Sequence, residues 1–317
     1  MRRLLIFPAL FAALSVLPAT APAQDWAKAR LEASPRHREW VTLHHDGRDV
    51  QAYVAYPEVS GKAPVIVMIH EIFGLSDWAR EMADELAAKG YIVVAPDLLS
   101  GAGPNHGGSS AFASQEDTMK AVSGLDPAQV NADLDAAADY AHTIPAANGK
   151  LVVAGFCWGG GKSFLFATHR HDLSAAFVFY GPPPPDAAMA AITAPVYGFY
   201  AGNDARIGAT VPGAIAAMKA AGKFFEPVTY DGAGHGFMRA GEDPNNTVPG
   251  NKTAREQALA RMLGILAKLP APPKAQLVEP LAEPLATPAA VPVAATKAAP
   301  LCHEAAASRA TQAAGAL

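Results

Sequence analysis

Residues 64–70, 91–96 and 151–154 are apolar at nearly every position. A strand with one wet face alternates apolar and polar side chains, so an unbroken run marks a strand covered on both faces, as in a parallel sheet. Residues 39–44 and 50–56 do alternate, on either side of a turn at Asp46-Gly47, which predicts an antiparallel hairpin ahead of the buried strands. Three more strands are expected at 175–180, 196–201 and 224–230. Helical segments fall between them: 76–89, opened by Ser76 and stopped by Gly90, then 126–142, 160–167, an alanine-rich stretch at 211–221, and 251–269. Repeated strand-helix units behind a hairpin predict a three-layer α/β fold with a mostly parallel central sheet, an antiparallel N-terminal strand pair and right-handed crossovers. The connection at 97–115 is rich in Gly and Ser, and a loop of that length is usually functional or mobile.

Composition changes this picture at the two ends. Met1-Arg2-Arg3, an apolar stretch over 4–17 and the small-residue site Ala21-Pro22-Ala23 read as a signal peptide over 1–23. Its apolar part is shorter than the roughly 20 residues of a spanning helix, so export to the periplasm or beyond, without stable membrane insertion, is the expectation. Residues 24–38 form a polar lead with some helical character, 39–269 the folded domain, and 270–317 a Pro- and Ala-rich tail without period, expected to be disordered. Over 317 residues the net charge is −4, and no basic run is interleaved with aromatics, which argues against a nucleic-acid partner. Only Cys157 and Cys302 are present, too few for a disulfide framework, and both are expected free. A monomer is expected.

The chemistry centres on Gly155-Phe156-Cys157-Trp158-Gly159, between the strand at 151–154 and a helix. A G-x-nucleophile-x-G turn at such a junction holds one side chain exposed above the sheet, and its glycines let strand and helix pack closely. A free thiol is mostly protonated at neutral pH and needs a base, with an acid behind that base. Asp204 follows the strand at 196–201, and His235 follows the strand at 224–230. Taken singly, these are a buried cysteine, a turn aspartate and a surface histidine. Taken together, they stand in the order nucleophile, acid, histidine, each after a strand, where open sheets place their sites. Two backbone donors are then expected for an oxyanion, the N–H groups of Trp158 and Ile72.

His70-Glu71-Ile72-Phe73-Gly74, the turn 155–160 and Gly234-His235-Gly236-Phe237 together make the chain resemble the dienelactone hydrolase family over roughly residues 39–269. The resemblance implies the α/β-hydrolase fold and a cysteine-dependent ester or lactone hydrolase of carboxymethylenebutenolidase type, working through a thioester without a cofactor. It further implies that Glu71 meets the resting thiol and takes its proton when substrate binds; the plainer reading is that Glu71 caps the following helix. Arg239, four residues after His235, matches one of two arginines with which the family's best-known members hold a substrate carboxylate. The other is expected just after Pro96-Asp97-Leu98, where this chain reads Leu99-Ser100-Gly101-Ala102-Gly103. A different ester or lactone is therefore the expected substrate, against an apolar wall of Phe73, Trp158 and Tyr180. No metal site is expected: His70-Glu71 opens the H-E-x-x-H pattern, but position 74 is Gly74. The rival readings are a binding or partner-recruiting module on a hydrolase scaffold, and a redox-responsive thiol protein.

Overall fold

The computed structural model describes residues 24–269. The signal peptide expected at 1–23, the tail at 270–317 and Cys302 lie outside the described residues. Eight strands follow in chain order: β1 Arg38–His45, β2 Arg48–Ala55, β3 Ala63–Ile69, β4 Ile92–Pro96, β5 Ala147–Phe156, β6 Ala175–Phe179, β7 Val196–Ala201 and β8 Phe225–Tyr230. The helices are α1 Asp25–Ala33, α2 Asp77–Ala88, α3 Gln115–Ser123, α4 Pro127–Thr143, α5 Trp158–His169, α6 Asp186–Met189, α7 Ala205–Gly208, α8 Val211–Ala220, α9 Phe237–Ala240 and α10 Pro249–Leu266.

One sheet holds all eight strands in the order β1-β2-β4-β3-β5-β6-β7-β8. Strands β1 and β2 pair antiparallel through a turn in which Asp46 (φ 46°) and Gly47 (φ 73°) both take positive φ, the geometry that matches strand twist in a two-residue hairpin. Strand β2 meets β4 antiparallel, and every other pairing is parallel. All five residues of β4 and of β6 are buried, as the unbroken apolar runs require. The core divides between the two faces: α1, α2 and α10 cover one with Leu31, Trp78 and Met262, while α4, α5 and α8 cover the other with Leu134, Phe164 and Met218.

Across the middle of the sheet, Phe156, Phe179 and Phe199 stack at the ends of β5, β6 and β7, with ring centroids 4.7 and 4.2 Å apart. Such pairs contribute roughly 0.5–1.5 kcal/mol beyond area burial. Here they level the strand ends from which the site residues project.

Two segments differ from their expected form. Helix α3 occupies a stretch for which no element is predicted; Ser114 caps it by accepting from Asp117 N, and only Thr118 and Val122 are buried, a stripe too narrow to announce a helix. The 97–115 connection is fastened rather than loose. Buried Asp97 accepts from the N–H groups of Leu99 (3.1 Å) and Ser109 (2.7 Å) and from the Ser109 hydroxyl (2.6 Å), whose oxygen also accepts from Leu75 N (2.8 Å). The polar lead is likewise tied down. Arg30 of α1 pairs with Glu242 at 2.6 Å, and Arg255 of α10 pairs with the same carboxylate at 2.8 Å.

Candidate active site

Strand β5 runs into α5 through a single residue, Cys157, at φ 56° and ψ −116°. A non-glycine residue holds that conformation only where its surroundings over-determine it. Cys157 N donates to Phe179 O at 3.0 Å, and Gly161 N donates back to Cys157 O at 3.2 Å, so both neighbouring strand and following helix fix the turn. The flanking glycines are steric requirements: a Cβ on Gly155 would sit 1.9 Å from Gly159 O, and one on Gly159 would sit 2.3 Å from His70 O.

Asp204 and His235 come to the same place from β7 and β8. Asp204 is the N-cap of α7: one carboxylate oxygen accepts from Ile207 N at 3.2 Å, and the other lies 2.5 Å from His235 Nδ1. The loop carrying His235 is held by Gly234 N donating to Asn251 Oδ1 of α10 at 2.8 Å. His235 Nε2 lies 3.0 Å from Cys157 Sγ. A carboxylate only accepts, so Nδ1 carries the imidazole hydrogen and Nε2 turns its lone pair to the thiol.

The thiol is the protonated form at neutral pH. Burial first, and the Glu71 carboxylate second, push its pKa up to about 11. Three groups oppose the rise: the backbone N–H of Trp158, the backbone N–H of Ile72, and the guanidinium of Arg206. The two N–H groups are the donors expected for an oxyanion, and both already act on the sulfur.

Glu71 lies close enough to the thiol to raise its pKa, but its hydrogen bonds are made elsewhere. Its buried carboxylate accepts from the Tyr180 hydroxyl at 3.2 Å and from Arg239 Nε at 2.8 Å. No hydrogen bond joins it to Cys157 among the described residues, and the thiol faces His235 instead. Glu71 does not cap α2 either, because the Ser76 hydroxyl fills that position by accepting from Ala79 N. Arg239, expected as a substrate clamp, is thus committed to Glu71, and its guanidinium also stacks 4.8 Å over the Phe73 ring.

The apolar wall is only partly formed. Tyr180 is fully buried, at φ 40°, with its ring edge-on to His235 at 5.1 Å. Trp158 packs on the other face of the sheet, stacked against buried His70 at 5.6 Å and beneath Lys162 at 5.1 Å. Phe73 lines a cleft of about 300 Å³ together with Ser109, Ser110 and Phe112 of the fastened loop.

Two residues with no assigned role in the sequence belong to this site. Arg206, exposed in α7 two residues past Asp204, pairs with no carboxylate among the described residues. Its position next to the acid was the available signal. His70 stands at the head of the His70-Glu71-Ile72-Phe73-Gly74 motif, which gives it no role of its own. A group of carboxylates away from the site, Glu81, Glu85 and Glu242, brings three ligand atoms within 4.8 Å of one another. Arg30 and Arg255 lie among them and supply the positive charge, so the group is an ion-pair network.

A sheet in this strand order, with a nucleophile elbow after β5, an acid after β7 and a histidine after β8, is an α/β-hydrolase. The profile of the dienelactone hydrolase family matches residues 50–269. A Salmonella typhi protein named as a carboxymethylenebutenolidase is 34% identical over 213 residues, covering 62% of this chain and 76% of that protein. One of the same name from Methylorubrum extorquens is 36% identical over 200 residues, covering 59% of this chain and 68% of its own. The crystal structure of a protein named as a dienelactone hydrolase, from Klebsiella pneumoniae, superposes with a TM-score of 0.65 at 29% identity, over 74% of this chain and 100% of that one. The chain belongs to the dienelactone hydrolase family, and it is a hydrolase of ester or lactone bonds.

Proposed function

We propose that the hydrolase works by nucleophilic catalysis at Cys157, with His235 as general base and acid and Asp204 as the group that fixes the imidazole. The observation that carries this reading is the line Sγ, Nε2, Nδ1, Oδ2, with its two contacts at 3.0 and 2.5 Å. His235 Nε2 takes the Sγ proton as the sulfur bonds to the carbonyl carbon, and the oxyanion forms against the N–H groups of Trp158 and Ile72. Collapse breaks the C–O bond. The leaving alkoxide takes the proton from His235, and a thioester remains. Water, deprotonated by His235, then attacks the thioester; the acid leaves, and the thiol regains its proton.

In this reading Glu71 acts on the thiol through its charge. A fixed carboxylate beside Sγ favours the thiol over the thiolate until His235 removes the proton, and Tyr180 and Arg239 hold that carboxylate in place. The test is chemical trapping. After an acid quench of turnover on p-nitrophenyl acetate, an acetyl group is expected on the peptide holding Cys157, released by neutral hydroxylamine as a thioester is. An acetyl group mapped to any other side chain would overturn the assignment.

Substrate charge is read from the two arginines. Arg239 is already paired, whereas Arg206 is exposed, without a carboxylate partner among the described residues, and close enough for its field to reach the thiol. Arg206→Ala is expected to lower kcat/KM about tenfold on an ester bearing a carboxylate, the weight of one charge-assisted hydrogen bond, and clearly less on a neutral ester of similar size, which loses only the arginine's field on the thiol. Arg239→Ala is expected to harm both alike, because it releases Glu71. Equal losses on the two esters in Arg206→Ala would remove Arg206 from substrate recognition.

A further inference from the structure

His70 is a fully buried histidine at the C-terminal end of β3, and the mechanism above does not use it. Its Nδ1 lies 2.7 Å from the carbonyl oxygen of Glu71. A carbonyl only accepts, so Nδ1 carries the hydrogen, and burial holds the ring neutral by lowering its pKa. The other nitrogen, Nε2, is buried without a partner among the described residues, so the Glu71 carbonyl is the one group that sets the tautomer.

That carbonyl shares a peptide unit with the N–H of Ile72. The unit is planar and trans, so its C=O and N–H point in opposite directions and turn together. The oxygen accepts from two donors, His70 Nδ1–H and, at the longer distance of 3.2 Å, the Gly74 N–H, so the shorter bond is the one from His70. Donors at the oxygen fix the direction of the N–H and also polarise the unit, because hydrogen bonds in a chain strengthen one another. The same imidazole stacks on the Trp158 ring, with planes 11° apart and centroids 5.6 Å apart. Trp158 supplies the second donor. His70 thus contacts the peptide unit that carries the Ile72 N–H and the side chain of Trp158, the two residues whose backbone N–H groups act on Sγ.

We propose that His70 is a positioning residue for the oxyanion site: its Nδ1–H holds the Glu71 carbonyl and so aims and polarises the Ile72 N–H of the same peptide unit. The proposal rests on the reading of Trp158 and Ile72 as oxyanion donors. A group that sharpens one donor counts in the transition state, where charge reaches the oxygen, more than in the bound ester. Its loss therefore lowers kcat with little change in KM.

The experiment compares wild type, His70→Leu and His70→Asn on an aryl ester and on its thiono analogue, in which sulfur replaces the carbonyl oxygen and accepts hydrogen bonds poorly. Asparagine places an amide N–H near the position of Nδ1, whereas leucine offers none. Wild type is expected to prefer the oxygen ester strongly. His70→Leu is expected to lose about tenfold in kcat on the oxygen ester, less than the 10²–10³ typical of removing a whole donor, with KM held and with the preference over the thiono ester reduced by the same factor. His70→Asn is expected to recover most of both. A strong preference in wild type that persists unchanged in His70→Leu overturns the role of His70 alone. Absence of the preference in wild type overturns the oxyanion reading, and the proposal with it. Because the preference is a ratio within one protein, partial misfolding of a variant does not mimic the expected result.

Discussion

Cys157→Ala is expected to lower kcat/KM on every ester tested by at least about 10⁴-fold, because it removes the atom that bonds to the substrate carbon while leaving the binding surface in place. Residual turnover of about 10³ over the uncatalysed reaction would remain from the two N–H donors and from substrate binding. The substitution deletes one half-buried sulfur and leaves the turn's own hydrogen bonds intact, Cys157 N to Phe179 O and Gly161 N to Cys157 O. The melting temperature should therefore stay near that of wild type, which separates lost chemistry from lost structure. Steady-state kinetics beside a thermal melt make the measurement. Wild-type rates in Cys157→Ala would remove Cys157 as the nucleophile.

Gly155→Ala should unfold the elbow. The new Cβ would lie 1.9 Å from Gly159 O and 2.4 Å from Gly159 C, both backbone atoms in the first turn of α5. No rotamer relieves a clash with backbone, so α5 must move off β5. Overpacking of this kind costs about 3 kcal/mol or more, a fall of roughly 6–12 °C in Tm for a domain of this size. The fraction that still folds is expected to lose activity as well, since the shifted helix carries the Trp158 N–H. Gly264→Ala is the control: its Cβ meets nothing within 4 Å, in the last turn of α10, and exchanging a helical glycine for alanine adds up to about 1 kcal/mol of stability. Equal melting temperatures for Gly155→Ala and wild type would refute the close packing of β5 on α5.

Much of this arrangement was legible before any coordinates. The buried strands announce themselves because a residue covered on both faces has no polar alternative. The hairpin follows from Asp46-Gly47 because few residues tolerate two successive positive φ values. Helix α3 is not legible in the sequence because it buries only Thr118 and Val122, and its Ser114 cap looks like one more loop serine. The order of the 97–115 connection was equally hidden, since it depends on one buried carboxylate, Asp97, reaching twelve residues along the chain to Ser109.

The candidate site divides in the same way. The sequence alone determined the kinds of residue and their order, Cys157 then Asp204 then His235, because each follows its own strand and strand ends are set by local pattern. The commitments among charges came from the fold. Glu71 and Arg239 stand 168 residues apart, and nothing in either neighbourhood says that they pair, or that Arg206 has no carboxylate partner among the described residues. The link from His70 to the Ile72 N–H needed coordinates for a similar reason: it passes through the orientation of one peptide plane. Local propensity selects which groups are present, whereas hydrogen bonds and ion pairs between distant segments decide which remain free to meet a substrate.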